Sequence, residues 1–173
     1  QVFVGSFSDA NGDGFGDLRG IINRMDYLND GNPQSDKSLG VQGIWLSPIF
    51  SSPSYHKYDA SDYYKLDWRF GEEKDLKELV DLCHERNVKL ILDLAINHTS
   101  SKHEWFVQFK EARMNGDIAN EYYDYYTCVT TAEKAGGVQY QKIAGVDAWY
   151  ECNFSGDMPE LNFDNPKVRE AVL

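Results

Sequence analysis

An α/β fold joined by parallel crossovers is predicted, and three observations predict it. Short apolar runs at residues 2–7, 41–46 and 88–95 are separated by stretches whose apolar residues recur at helical spacing. Each strand-plus-helix unit takes roughly forty residues, which suits a βαβ crossover rather than a hairpin. Oxygen-rich and His-containing segments follow the strand runs directly. That is the end at which open α/β sheets and (β/α)8 barrels both gather ligands, so topology alone leaves both open.

Residues 2–7 are apolar and β-branched or aromatic, as expected of a buried strand. Asp17 can cap a helix whose Leu18, Ile21, Ile22, Met25 and Leu28 share one face. A polar loop containing Gly31 and Pro33 leads to the second strand, which Pro48 closes. Glu72, Glu73 and Asp75 place negative charge in the first turn of the next helix, where the dipole favours it. Leu76, Leu79, Val80 and Cys83 form that helix's apolar stripe, and residues 88–95 form the third strand. Residues 99–160 break the rhythm with a short helix carrying Trp105, Phe106 and Phe109, then stretches rich in Tyr, Trp and Gly, including Gly136 and Gly137. The expected organisation is a main domain over 1–98, an inserted subdomain over 99–160, and a return to the main domain over 161–173. Asn165 as cap and Pro166 at the first helical position open that return.

The 173 residues are 42% hydrophobic and 26% charged, a globular composition, and the net charge of −11 argues against a nucleic-acid partner. Cys83, Cys128 and Cys152 are too few for a dense disulfide framework; one bridge between Cys128 and Cys152, or three free thiols, both fit. No apolar run reaches the length of a membrane span. The chain starts within a predicted strand, without Met, and stops within a predicted helix, so it is expected to be a piece of a longer protein.

Two constellations carry chemistry. Asp9, Asn11, Asp13 and Asp17, with Phe15 offering a carbonyl, put oxygen donors at alternate positions with Gly12, Gly14 and Gly16 between them. A hard cation such as Ca²⁺ takes six to eight oxygens, and glycines let the backbone wrap it. Position twelve of the loop is Gly20, so the bidentate Glu of an EF-hand is missing; a polar turn ending in a helix cap is the alternative. The second constellation is Asp93, Asn97 and His98 at the end of the third strand. An Asp within an apolar strand must be paired or hydrogen-bonded.

Five segments, in order, resemble glycoside hydrolase family 13, the α-amylase family: DANGDGFGDLRG (9–20), GIWLSPIFSSP (43–53), YHKYDASDYY (55–64), DLAINHTS (93–100) and MPELN (158–162). The resemblance covers essentially the whole chain. It implies the first three strands of a (β/α)8 barrel with a B subdomain inserted after the third. It also implies a structural Ca²⁺ held by Asp9, Asn11, Asp13, Phe15 and Asp17. Tyr58 matches the stacking floor for the sugar at the cleaved position, and His98 matches the donor to that sugar's primary hydroxyl. Asp93 and Asn97 match residues that support the site's architecture. The implied substrate is starch, another α-glucan or a maltooligosaccharide. The expected location is the cell exterior or surface, with the cytoplasm left open.

Two departures favour an endo-acting α-amylase over an α-1,6-glucosidase. Family members acting on α-1,6 bonds usually carry Asp three residues before the stacking Tyr and Gly just before it, where this chain has Tyr55 and Lys57. MPELN also replaces their QPDLN and resembles an intermediary group of α-amylases. An α-glucosidase or transglycosylase of the same family remains the second expectation, and a non-catalytic relative such as a transporter heavy-chain ectodomain the third. The family's retaining mechanism needs a carboxylate nucleophile and a carboxylic acid ~5 Å apart. Those residues follow strands four and five, so no catalytic carboxylate is expected within this chain. Oligomeric state is not encoded in any pattern found.

Overall fold

The computed structural model of the protein describes residues 1–130 and 138–173. Gly136 and Gly137 of the predicted insertion lie outside the described residues. The chain divides into two compact units, one formed by residues 1–51, 55–57 and 63–94, the other by 52–54, 58–62 and 95–173.

The first unit is built on parallel pairing. Strand β1 (Gly43–Leu46) runs beside β4 (Lys89–Leu92) in parallel, with Ile44 opposite Leu90 and Leu46 opposite Leu92. On the other side of β1, Val2 makes a parallel bridge to Leu46; its amide donates to the Trp45 carbonyl and its carbonyl accepts from Ser47. The three predicted runs are therefore parallel neighbours in chain order, as the start of a barrel requires, but the described residues form small sheets and no closed barrel. A short pair, β2 (Phe50–Ser51) and β3 (Asp62–Leu66), interrupts the crossover.

The first predicted strand needs correction. Beyond Val2 it is not a strand, and residues Val4–Phe7 form one helical turn, α1. The backbone of this stretch finds partners other than a strand: Gly16 donates to the Gly5 carbonyl at 2.8 Å and Asp17 to the Ser8 carbonyl at 3.0 Å. A Cβ at Gly16 would stand 2.0 Å from the Val4 carbonyl oxygen, so close approach of the glycine-rich loop's backbone replaces the sheet ladder here. Strand propensity yields to that tertiary pairing.

The predicted helices form. Asp17 caps α2 (Leu18–Asn23), and after a break at Arg24 the apolar stripe continues in α3 (Met25–Leu28). Leu18, Ile21, Met25 and Leu28 are buried with Ile44, Leu46, Leu79 and Cys83 in one core. Helix α4 (Glu73–Glu85) opens with Glu72 and Asp75 exchanging hydrogen bonds with each other's backbone, a reciprocal cap.

The second unit has its own core. Helix α5 (Glu104–Asn115) buries Phe106 and Phe109 against Tyr126 and Tyr150, the rings packing edge-on or tilted at about 5 Å. Strands β5 (Cys128–Val129), β6 (Tyr140–Lys142) and β7 (Trp149–Glu151) form an antiparallel sheet with β7 in the middle. Asn165 caps α6 (Pro166–Val172), with Pro166 inside its first turn, as predicted. Cys83, Cys128 and Cys152 are all free thiols, and burial raises the pKa of each.

Candidate substrate and cation sites

In the first unit, residues 9–17 fold into a ladder of side-chain-to-backbone turns. The Asp9 carboxylate accepts from the amides of Gly12 (2.6 Å) and Gly14 (2.8 Å), which lower its pKa. Asn11 Oδ1 accepts from the Asp13 amide, and Asp13 Oδ1 from the Phe15 amide. Gly12 and Gly14 lie at φ 82° and 89°, where side chains are disfavoured. Asp17 is buried and carries two duties: Oδ1 caps α2 at Gly20, and Oδ2 accepts from Ala10, pinning the loop's start to its end. Both readings of this loop thus share one geometry, since the polar turn and the helix cap are built from the same residues. Among the described residues, no three His, Cys, Asp or Glu side chains gather at one point. The donor chemistry nevertheless fits a hard cation, because each oxygen that accepts one N–H keeps a second lone pair.

In the second unit, the segment after β4 meets the MPELN segment. His98 pairs with Glu160 in an antiparallel bridge, and the Asn97 carbonyl accepts from Leu161 at 3.0 Å. His98 is 5% exposed, and its Nε2 lies 3.1 Å from the Tyr58 carbonyl oxygen. A carbonyl only accepts, so Nε2 carries the proton. This hydrogen bond joins the two residues matched to sugar contacts. The neighbouring Thr99 and Ser100 are fully buried: Thr99 Oγ1 shares a hydrogen bond with the Tyr126 hydroxyl at 2.7 Å, and the Ser100 amide donates to the Ala60 carbonyl at 2.8 Å. Asn97 Nδ2 donates to Glu160 Oε2. Asp93 belongs to the first unit, where its amide donates to the Leu46 carbonyl at 3.0 Å, continuing the ladder past β4.

Glu160 lies against Asn97 and His98 of this candidate site, and sequence reading gave it no role. Its carboxyl is buried, burial raises its pKa, and among the described residues Oε1 has no hydrogen-bond partner. The available signal was a lone Glu between Pro159 and Leu161. The Asp59 carboxylate accepts from the hydroxyls of Ser52 and Ser54.

The catalytic-domain model of α-amylases matches residues 1–173. The chain belongs to the α-amylase family. It is 44% identical over 173 residues to "Alpha-amylase 3" of Dictyoglomus thermophilum, covering 99% of this chain and 32% of that protein. It is 43% identical to the "Oligo-1,6-glucosidase" of Bacillus cereus, over 99% of this chain and 30% of the relative. Among solved structures it superposes on the α-amylase from H. orenii with a TM-score of 0.84 at 43% identity, covering 99% of this chain and 35% of that one. The isomaltulose synthase SmuA from Protaminobacter rubrum gives 0.84 at 36% identity, over 99% and 30%. The chain thus spans about a third of the length of the curated relatives it matches.

Proposed function

We propose that the protein carrying this chain is a retaining glycoside hydrolase that cleaves α-glucosidic bonds of starch or maltooligosaccharides. The observation that carries the reading is the Tyr58–His98 hydrogen bond, which ties together the residues matched to a stacking floor and a sugar donor. In this reading the chain forms the first part of a (β/α)8 barrel, the second unit includes its B subdomain, and the two catalytic carboxylates lie outside residues 1–173. Tyr58 stacks on the sugar at the cleaved position, and His98 hydrogen-bonds its primary hydroxyl. Asp93 and Asn97 keep the strand end and the MPELN segment in register. Asp9, Asn11, Asp13, the Phe15 carbonyl and Asp17 would hold a Ca²⁺ whose contribution is to stabilise the folded loop.

Tyr55 and Lys57 before Tyr58, together with MPELN, support endo-acting α-amylase specificity. The 43% identity to an oligo-1,6-glucosidase favours a second reading, exo-action on short oligosaccharides. The deciding experiment follows the products of the complete protein on a maltooligosaccharide series and on isomaltose by NMR. Internal cleavage with α-anomeric products supports the amylase reading, and glucose release from isomaltose supports the glucosidase. Turnover by residues 1–173 alone would overturn the assignment of the carboxylates to the rest of the protein.

A further inference from the structure

Lys57 combines two features that a lysine seldom has. Its backbone is left-handed, with φ 68°, and its side chain is 2% exposed. A non-glycine residue persists at such a φ only when surrounding contacts hold it. A buried ammonium needs a partner, and Lys57 Nζ meets Asp67 Oδ2 at 2.6 Å, the Asp67 side chain being 3% exposed. Asp67 is itself fixed: Oδ1 accepts from the Arg69 amide, its amide donates to the Ile49 carbonyl, and its carbonyl accepts from Phe70. The Phe70 ring lies 5.7 Å from Nζ and walls one side.

Lys57 stands immediately before Tyr58, at the position where α-1,6-acting family members usually carry glycine. Glycine would adopt a left-handed φ freely but would not hold it. We propose that the Lys57–Asp67 ion pair makes Lys57 a positioning residue, locking the backbone turn from which Tyr58 is presented to substrate. This inference rests on the reading of Tyr58 as the sugar-stacking residue. Loss of the lock would leave Tyr58 in place chemically but spread over several orientations. The loss should fall on kcat more than on KM, because misplacement near the reacting bond costs rate.

The test uses the complete protein and four variants: Tyr58→Ala, Lys57→Gly, Asp67→Asn and the double variant Lys57→Gly/Asp67→Asn. The double variant keeps the left-handed turn accessible and leaves no unpaired buried charge, so it guards against failure to fold. Asn at 67 can still accept from the Arg69 amide. The expected result is a folded double variant, by circular dichroism, whose kcat per active enzyme falls by about tenfold or more while KM stays within about twofold. The double variant should be no worse than the worse single variant, as for two residues acting as one unit. Wild-type kcat in a folded double variant, even with a lowered melting temperature, would overturn the proposal and leave the ion pair a stability device. Tyr58→Ala separates the two levels: unchanged kinetics there would sink the stacking role and this inference with it. Impaired Tyr58→Ala beside a wild-type double variant would sink this inference alone.

Discussion

His98 shows how one side chain can be assigned by type from sequence and by contact only from structure. Its ring is buried and its Nε2 proton is held by the Tyr58 carbonyl. In the complete protein, His98→Ala is expected to lower kcat/KM by about tenfold or more, the scale of one hydrogen bond to a polarised group. Steady-state kinetics on a maltooligosaccharide, with folding checked by circular dichroism, measure it; unchanged kinetics would reduce His98 to a structural residue. Asp13 belongs to the proposed cation loop. Asp13→Ala should blunt the rise in melting temperature that Ca²⁺ gives the complete protein and leave kcat nearly unchanged. The stabilisation at stake is RT ln(1 + [L]/Kd), about 2.7 kcal/mol at a hundredfold excess over Kd. Thermal melts with Ca²⁺ and with EDTA read it directly, and equal Ca²⁺ shifts in both proteins would exclude the loop as a cation site. Both residue types were legible because His after a strand and alternating Asp and Asn are chemically loud. The burial of Lys57 and Glu160 was silent, since nothing in a sequence shows that a charged side chain is buried.

Among elements, α5 depends on an unusual cap. His103 Nδ1 accepts from the Trp105 amide at 3.2 Å, which requires that nitrogen to be unprotonated. Burial lowers the His103 pKa from its ordinary 6.5, against the opposing pull of Asp62 and Glu104. The folded pKa lies below the unfolded one, so the unfolded chain binds more protons between the two values. Stability from His103 is therefore fully present above about pH 6.5 and is lost as pH falls through the folded pKa. Asn at this position can cap without titrating. His103→Asn is thus expected to lose less melting temperature than wild type between pH 7.5 and pH 5.5, after comparison at the higher pH. Parallel slopes in the two proteins would show that His103 does not titrate on unfolding. The α2 cap at Asp17 and the Asn165-Pro166 start of α6 were readable from sequence, because caps are local chemistry.

For the whole molecule, the open parallel sheet sets the behaviour of residues 1–173 in isolation. Among the described residues no strand pairs with the far edge of β4, and Ile91, Leu92 and Trp45 are exposed on the strands. An unpaired apolar edge is a template for association. Residues 1–173 produced alone are expected to self-associate at micromolar concentration, whereas the complete protein at equal concentration should scatter as a single discrete species. Light scattering coupled to gel filtration makes the comparison. A monodisperse, folded 173-residue monomer would show that this edge is already satisfied.

Read alone, the sequence marked the parallel order of the three runs, the core faces of α2 to α4, the caps at Asp17 and Asn165 and the five segments that mark the family. These are set by spacing and by contacts a few residues apart, which a linear pattern records. Tertiary structure alone decided that residues 4–7 leave the sheet, because the amides of Gly16 and Asp17 take the carbonyls of Gly5 and Ser8. It also decided that His98 holds Tyr58 across forty residues, that Glu160 sits buried against Asn97, and that Lys57 neutralises Asp67 at a left-handed turn. In each case the partner is distant along the chain, and the energy lies in desolvation and hydrogen bonding between groups that only the fold brings together.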